Sequence, residues 1–156
     1  HTSVGGNFES KLLHVRDEKA SGTASGSFSS GSFATRVLNT VKTNEITSAS
    51  LSSNQVSLPA GTYFIMARAP SMDTNGHTCQ WYNDTDSALE IAGSPSYTST
   101  DTSTMSFVFG RFTIDDTKVF ELQHRCDSTT ATIGLGGGSH DYSLIMVYAE
   151  VMIWQM

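Results

Sequence analysis

One stretch near the end of the chain, residues 142–154, is apolar on both of its faces. Side chains of a β-strand alternate between the two sides of a sheet. One side here carries Ile145, Val147, Ala149, Val151 and Ile153, a compact and mostly β-branched set suited to a core. The other carries Tyr142, Leu144, Met146, Tyr148, Met152 and Trp154, interrupted by Glu150. A strand with one face on a core and one in water should be polar on the second. The same double coverage recurs in residues 62–69, where Tyr63, Ile65 and Ala67 alternate with Phe64 and Met66. It recurs again in residues 105–114, where Val108, Phe112 and Ile114 alternate with Phe107 and Phe109. Burying a large apolar side chain is worth roughly 1.5–3 kcal/mol, and soluble monomers rarely leave so large a patch open. The chain supplies no helix to cover such a sheet, so further copies of the chain are the expected cover.

Most of the remaining sequence reads as β-structure. Short runs rich in Val, Ile, Phe, Tyr and Thr are separated by turn clusters at the spacing of a sandwich or barrel. The expected strands are residues 33–38, 45–46, 55–58, 62–69, 78–83, 88–91, 105–114, 118–126, a weak one at 132–135, and 142–154. Pro59-Ala60-Gly61 and Asn75-Gly76 are turn formers, Gly136-Gly137-Gly138 tolerates positive φ, and Pro70 is expected to end a strand. Residues 1–30 are read as a linker or the end of a shaft, with Phe8, Leu12 and Val15 on a short helix ending near Lys19. The Gly/Ser-rich run 21–32 then forms a flexible link to a single domain at residues 31–156.

Composition limits the function. Charged residues are 15% of the chain and the net charge is −6, with nine Lys and Arg in all. No basic stripe exists for phosphate contacts, so nucleic acid is not an expected partner. No apolar run reaches the length of a membrane-spanning helix. The surface must come from Ser, Thr, Asn and Gly, groups suited to hydrogen bonding with sugars or other surfaces.

The segments Leu58-Pro59-Ala60-Gly61-Thr62-Tyr63-Phe64-Ile65, Phe107-Val108-Phe109-Gly110-Arg111-Phe112-Thr113-Ile114 and Lys118-Val119-Phe120-Glu121-Leu122 together resemble the C1q/TNF-like trimeric jelly roll. The longer run through Gln123-His124-Arg125-Cys126 resembles bacteriophage versions of that domain, which sit at the tips of tail fibres and of the tail needles of short-tailed phages. The resemblance spans about residues 30–156. It implies an all-β, two-sheet antiparallel jelly-roll sandwich with a helical or extended lead-in. It also implies a homotrimer whose sheet of first and last strands faces the threefold axis. The implied function is a non-enzymatic knob in the virion, contacting a glycan or protein of the host cell surface and joined to other tail proteins through the shaft. A secreted C1q-like lectin or adhesin is the alternative.

On this reading the trimer interface comprises Phe64, Met66, Phe107, Phe109, Tyr142, Leu144, Met146, Tyr148, Met152 and Trp154. Arg68, Arg111 and Glu150 share that face. They are candidates for an intersubunit salt bridge or for a pocket between subunits that grips a small carboxylate. Receptor contacts are expected on loops, with Asp73, Asn75, Tyr82, Asp84, Tyr97, Asp127 and His140 as candidates. His77, Cys79, His124 and Cys126 form two His-x-Cys units on one strand face, which packing, a disulfide or a metal would each explain. Packing is the favoured reading, and neither a metal nor another cofactor is expected. Asp84 and Asp86, or Asp115 and Asp116, are read as turn formers and not as a calcium site. Gly138-Ser139-His140-Asp141 is a loop, because triads are assembled from separate segments, and no nucleophile elbow or metal-protease motif is present.

Overall fold

The computed structural model describes residues 10–156. Twelve strands, and no helix among the described residues, make up the chain: β1 (Lys11–Lys19), β2 (Ala34–Thr35), β3 (Thr40–Asn44), β4 (Ser50–Ser52), β5 (Gln55–Leu58), β6 (Gly61–Met72), β7 (Asn75–Asn83), β8 (Ala88–Ala92), β9 (Ser96–Thr98), β10 (Ser103–Ile114), β11 (Lys118–Cys126) and β12 (Met146–Gln155). They form two antiparallel sheets. One runs β10-β6-β12-β1-β3, the other β4-β5-β11-β7-β8, with β2 added beside β11 and β9 beside β7. The core between them is built from alternate residues of both sheets, among them Leu13, Val15, Tyr63, Ile65, Val108, Val151 and Ile153 facing Val56, Leu58, Trp81, Phe120 and Leu122. Trp81 stacks on Phe120 at 5.2 Å and 5°, and Phe112 leans on both rings.

The expected linker is part of this sandwich. Residues 11–19 are a central strand, paired with β12 on one side and β3 on the other. Leu13, Val15 and Asp17 are buried in alternation, which is a period of two and not of 3.6. The run 21–32 is held by backbone bonds from Ser25 N to Gly136 O (2.9 Å) and between Phe28 and Thr130, and Phe28 is buried. Residues 1–9, including Phe8, lie outside the described residues.

Strand ends also depart from expectation. β6 continues through Pro70, because β12 pairs with β6 only as far as Arg68 and leaves no partner there for the missing N–H. Residues 132–135 form turns, with Thr132 at φ 65°. β12 starts at Met146, and Tyr142 and Ser143 adopt positive φ in the turn before it.

A β-bulge reverses the alternation of β12. Arg16 pairs with Glu150 and Glu18 with Val147, so Tyr148 and Ala149 together oppose Asp17. Both are buried. Tyr148 therefore points inward, where its hydroxyl donates to Thr23 O at 2.5 Å with Gly137 O also in reach at 3.0 Å. Gly136, at φ +143°, lies against the ring, and any Cβ there would overlap it.

The interior also holds a directed chain of polar groups. Arg36 is buried with no carboxylate on its guanidinium. Nη1 donates to Pro70 O (2.7 Å) and His124 Nδ1 (3.0 Å), and Nη2 donates to Leu135 O (2.7 Å). An arginine can only donate, so His124 Nδ1 must accept and its Nε2–H must donate to His77 Nδ1 (2.9 Å). His77 Nε2–H then donates to Thr104 Oγ1 (2.8 Å), and the Thr104 hydroxyl to Tyr97 O (3.1 Å). Both imidazoles are thus neutral. Burial, reinforced by the nearby Arg36 charge, pushes His77 down to about 4 and His124 well below its ordinary value.

Two outcomes are expected. Gly136→Ala combines a forbidden φ with a steric overlap and should cost more than about 2 kcal/mol, read as a loss of about 4 °C or more in the thermal midpoint. In the unfolded chain histidine takes up its proton near pH 6.5, whereas the folded pair stays neutral. Their contribution to stability is therefore complete above about pH 6.5 and declines as pH falls toward 4, by on the order of 3 kcal/mol for His77. Calorimetric midpoints recorded from pH 7.5 to 4 should fall accordingly, and His77→Gln should flatten the slope.

Candidate functional site

The outer face of the five-stranded sheet leaves Met66, Phe107 and Phe109 exposed. Strand register arranges it in three rows. Arg111, Phe64, Trp154 and Leu12 form the first, and Phe109, Met66, Met152, His14 and Thr43 the second. Phe107, Arg68, Glu150, Arg16 and Thr40 form the third. Phe107 and Phe109 stack at 5.6 Å, Phe109 is 51% exposed, and Met66 and Phe107 are also exposed. A dimple of about 90 Å³ opens among Met66, Arg68, Phe107, Phe109, Glu150 and Met152. Phe64, Met66, Phe107, Phe109, Met152 and Trp154 therefore come together as the sequence suggests. Tyr148 does not, since the bulge turns it inward. Tyr142 and Leu144 stand on the turn before β12, 81% and 66% exposed, and Met146 is half-buried at the strand's start beside Lys19.

Apart from Arg111 in the first row, charge on this face gathers in the third row and its flank. Glu150 Oε1 takes Arg68 Nη2 at 2.9 Å and Nε at 3.1 Å, while Oε2 takes His14 Nε2 at 2.6 Å and Arg16 Nη1 at 3.5 Å. Arg16 reaches on to Glu18, which also meets Lys42 at 3.1 Å. Burial opposes ionisation of Glu150, but the bonds from His14 and Arg68 outweigh it and hold the carboxyl below its ordinary value. The Arg68–Glu150 pair is formed within one chain, so Arg68 already has its anion. Arg111 is exposed and makes no ion pair among the described residues. Leu12, His14 and Arg16 join this face from β1, a segment where the spacing of Phe8, Leu12 and Val15 predicts a helix. The alternation of Leu13, Val15 and Asp17 was the signal available.

The loop candidates separate into two ends. β6 and β7 join at residues 73–74, which brings Asp73, Asn75, Tyr97 and Asp127 to one end. Tyr97 Oη donates to Asn75 Oδ1 (3.1 Å) there, and Asn75 Nδ2 donates to Ser128 (2.7 Å). His140 is at the same end, lining a cavity of about 310 Å³ with Met72, Asp101 and Ser103. Tyr82 and Asp84 are at the other end, Tyr82 half-buried opposite Glu121 and Asp84 accepting from Gln55 (3.1 Å). The start of β1 shares that second end, since Lys11 pairs with Gln155 and Gln155 with Tyr63.

His77, Cys79, His124 and Cys126 do share an inward face of paired strands. The imidazoles bond each other, and the thiols donate to the carbonyls of Ser106 and Ser128. Both cysteines are free, and burial pushes the Cys79 thiol up to about 11. No group of three or more His, Cys, Asp or Glu is placed to hold a metal among the described residues.

No sequence family and no curated protein matches the chain. Its fold does match solved structures. Murine APRIL at pH 5.0 superimposes with a TM-score of 0.62 at 8% identity, covering 95% of this chain and 100% of that one. Murine APRIL at pH 8.0 gives 0.60 at 6% identity with the same coverage. The globular domain of zebrafish complement 1qA protein gives 0.58 at 10% identity, covering 95% and 98%. At these identities the likeness concerns the fold alone, and the fold is an all-β, two-sheet, C1q/TNF-like jelly-roll sandwich.

Proposed function

We propose that the chain is a homotrimeric binding module without enzymatic activity, forming the knob at the distal end of a phage tail needle or tail fibre and contacting the host cell surface. The observation that carries this reading is the uncovered face of the five-stranded sheet. Phe64, Met66, Phe107, Phe109, Met152 and Trp154 make it apolar, while its charges other than Arg111 are paired within the chain. Such a surface is suited to burial against copies of itself. The C1q/TNF-like resemblance implies the same face at a threefold axis. In that assembly Arg111 is the group left to bind a small anion between subunits, because Glu150 already holds Arg68. The polarity of the domain supports a knob. The chain enters at one end, where other tail proteins would attach, and Asp73, Asn75, Tyr97, Asp127 and His140 gather at the opposite end. The phage setting itself rests on the resemblance of residues 107–126 to phage versions of the domain.

Light scattering coupled to size exclusion should give about three times the 16.8 kDa of one chain. Phe109→Glu or Met152→Glu should reduce it to one, since burying an unpaired carboxylate costs several kcal/mol per subunit. A single-chain mass for the unaltered protein at micromolar concentration overturns the assembly. Labelled trimer that fails to bind any cell sensitive to the parent particle overturns the attachment role.

A further inference from the structure

The outer face of the other sheet carries a groove that neither the core nor the apolar face explains. It has a volume of about 440 Å³ and is lined by Phe33, Gly76, His77, Thr78, Pro95, Ser96, Arg125 and Asp127. Register shows how it is built. Ala34 pairs with His124, which places Phe33 beside Arg125 at the edge of β11. Arg125 faces Thr78 across to β7, and Gly76 pairs with Tyr97 on β9. The floor is therefore Gly76 and Thr78. One wall is the exposed ring of Phe33, and the other is Pro95 and Ser96, with the 64% exposed ring of Tyr97 at the rim.

Three features point to a ligand. The Arg125 guanidinium and the Asp127 carboxylate lie on this exposed face, and neither makes a hydrogen bond or ion pair with protein among the described residues. Gly76 keeps the floor open, since a Cβ there would stand 2.5 Å from Asp127 Oδ2. The two walls are also tied together beneath the floor by the buried chain from Arg36, three residues after Phe33, through His124, His77 and Thr104 to the carbonyl of Tyr97. A groove held in shape before its ligand arrives loses less on binding.

We infer that this groove binds a neutral pyranose residue of a surface glycan. An apolar ring face would lie on Phe33, and adjacent hydroxyls would donate to Asp127 and accept from Arg125, the charge-assisted pairs such ligands favour. The positive and negative groups side by side offset each other, so the groove offers a donor and an acceptor to hydroxyls without a net charge that would draw in a charged sugar. The groove is on the sheet facing away from the proposed threefold axis and at the end remote from the start of β1, so it stays open in the assembly. The inference rests on the attachment reading for its biological role, but not for its chemistry.

The test is an array of neutral oligosaccharides containing glucose, galactose, mannose, rhamnose and N-acetylglucosamine, followed by calorimetric titration of the best binder. At least one neutral sugar should bind. Phe33→Ala, Asp127→Ala and Gly76→Ala should each weaken it tenfold or more with an unchanged thermal midpoint, while Leu89→Ser on β8 should stay within twofold. Absence of any neutral binder overturns the inference, as does a binder indifferent to all three substitutions. Cell binding measured in parallel separates the two readings. Full cell binding by the Phe33→Ala and Asp127→Ala proteins refutes the groove as receptor site and leaves the attachment role standing. Sugar binding without cell binding refutes the role and leaves the groove.

Discussion

A buried guanidinium without a carboxylate organises one end of the sandwich. Placing a charge in a core costs several kcal/mol unless every donor is directed at an acceptor. Arg36 answers that demand with its Nη groups, which collect the carbonyls of Pro70 and Leu135 and the ring of His124, while its Nε has no hydrogen-bond partner among the described residues. Each acceptor belongs to a different segment: the far end of β6, the turn after Thr132, and β11. The consequence travels, because an acceptor at Nδ1 leaves His124 with a donor at Nε2 and repeats the constraint on His77 and Thr104. Six segments are therefore oriented by one side chain that can only donate. Together with the ring of Tyr148 under Gly136, this fixes the end of the domain where Asp73, Asn75, Tyr97 and Asp127 gather.

The two sheets divide the remaining tasks. The five-stranded sheet places aromatic and thioether groups on its outer face and, Arg111 apart, gathers its charges around Glu150. The other sheet leaves polar groups outside, together with a glycine-floored groove. Neither outer face resembles the other, and only the first is too apolar to be left in water. The asymmetry leaves the domain one outer surface suited to burial and another suited to water.

Much of this was legible in the chain. The alternation in residues 62–69 and 105–114 located both faces of β6 and β10, and residues 118–126 are β11 to the residue. The C1q/TNF-like resemblance carried the topology. Local pattern failed where a tertiary contact overrode it. In β1 the buried Asp17 broke the apolar alternation, although Lys19, Ser25 and Asn39 satisfy its carboxylate. In β12 the bulge inverted Tyr148, and nothing in residues 142–154 announces a bulge. The groove was invisible for another reason. Phe33, Gly76 and Arg125 are each more than forty residues apart, and only the register of β2, β7 and β11 makes them neighbours.

The position of β1 bears on how the domain responds to force. Its first residue is at one end of the sheet, and the strand then runs inward between β12 and β3, bonded along both edges. Tension applied through the chain ahead of Lys11 acts along the strand, not across it. The two ladders would have to fail in shear, many bonds at once, whereas an edge strand peeled from its tip yields one bond at a time. A domain threaded in this way resists a pull applied through the chain ahead of Lys11.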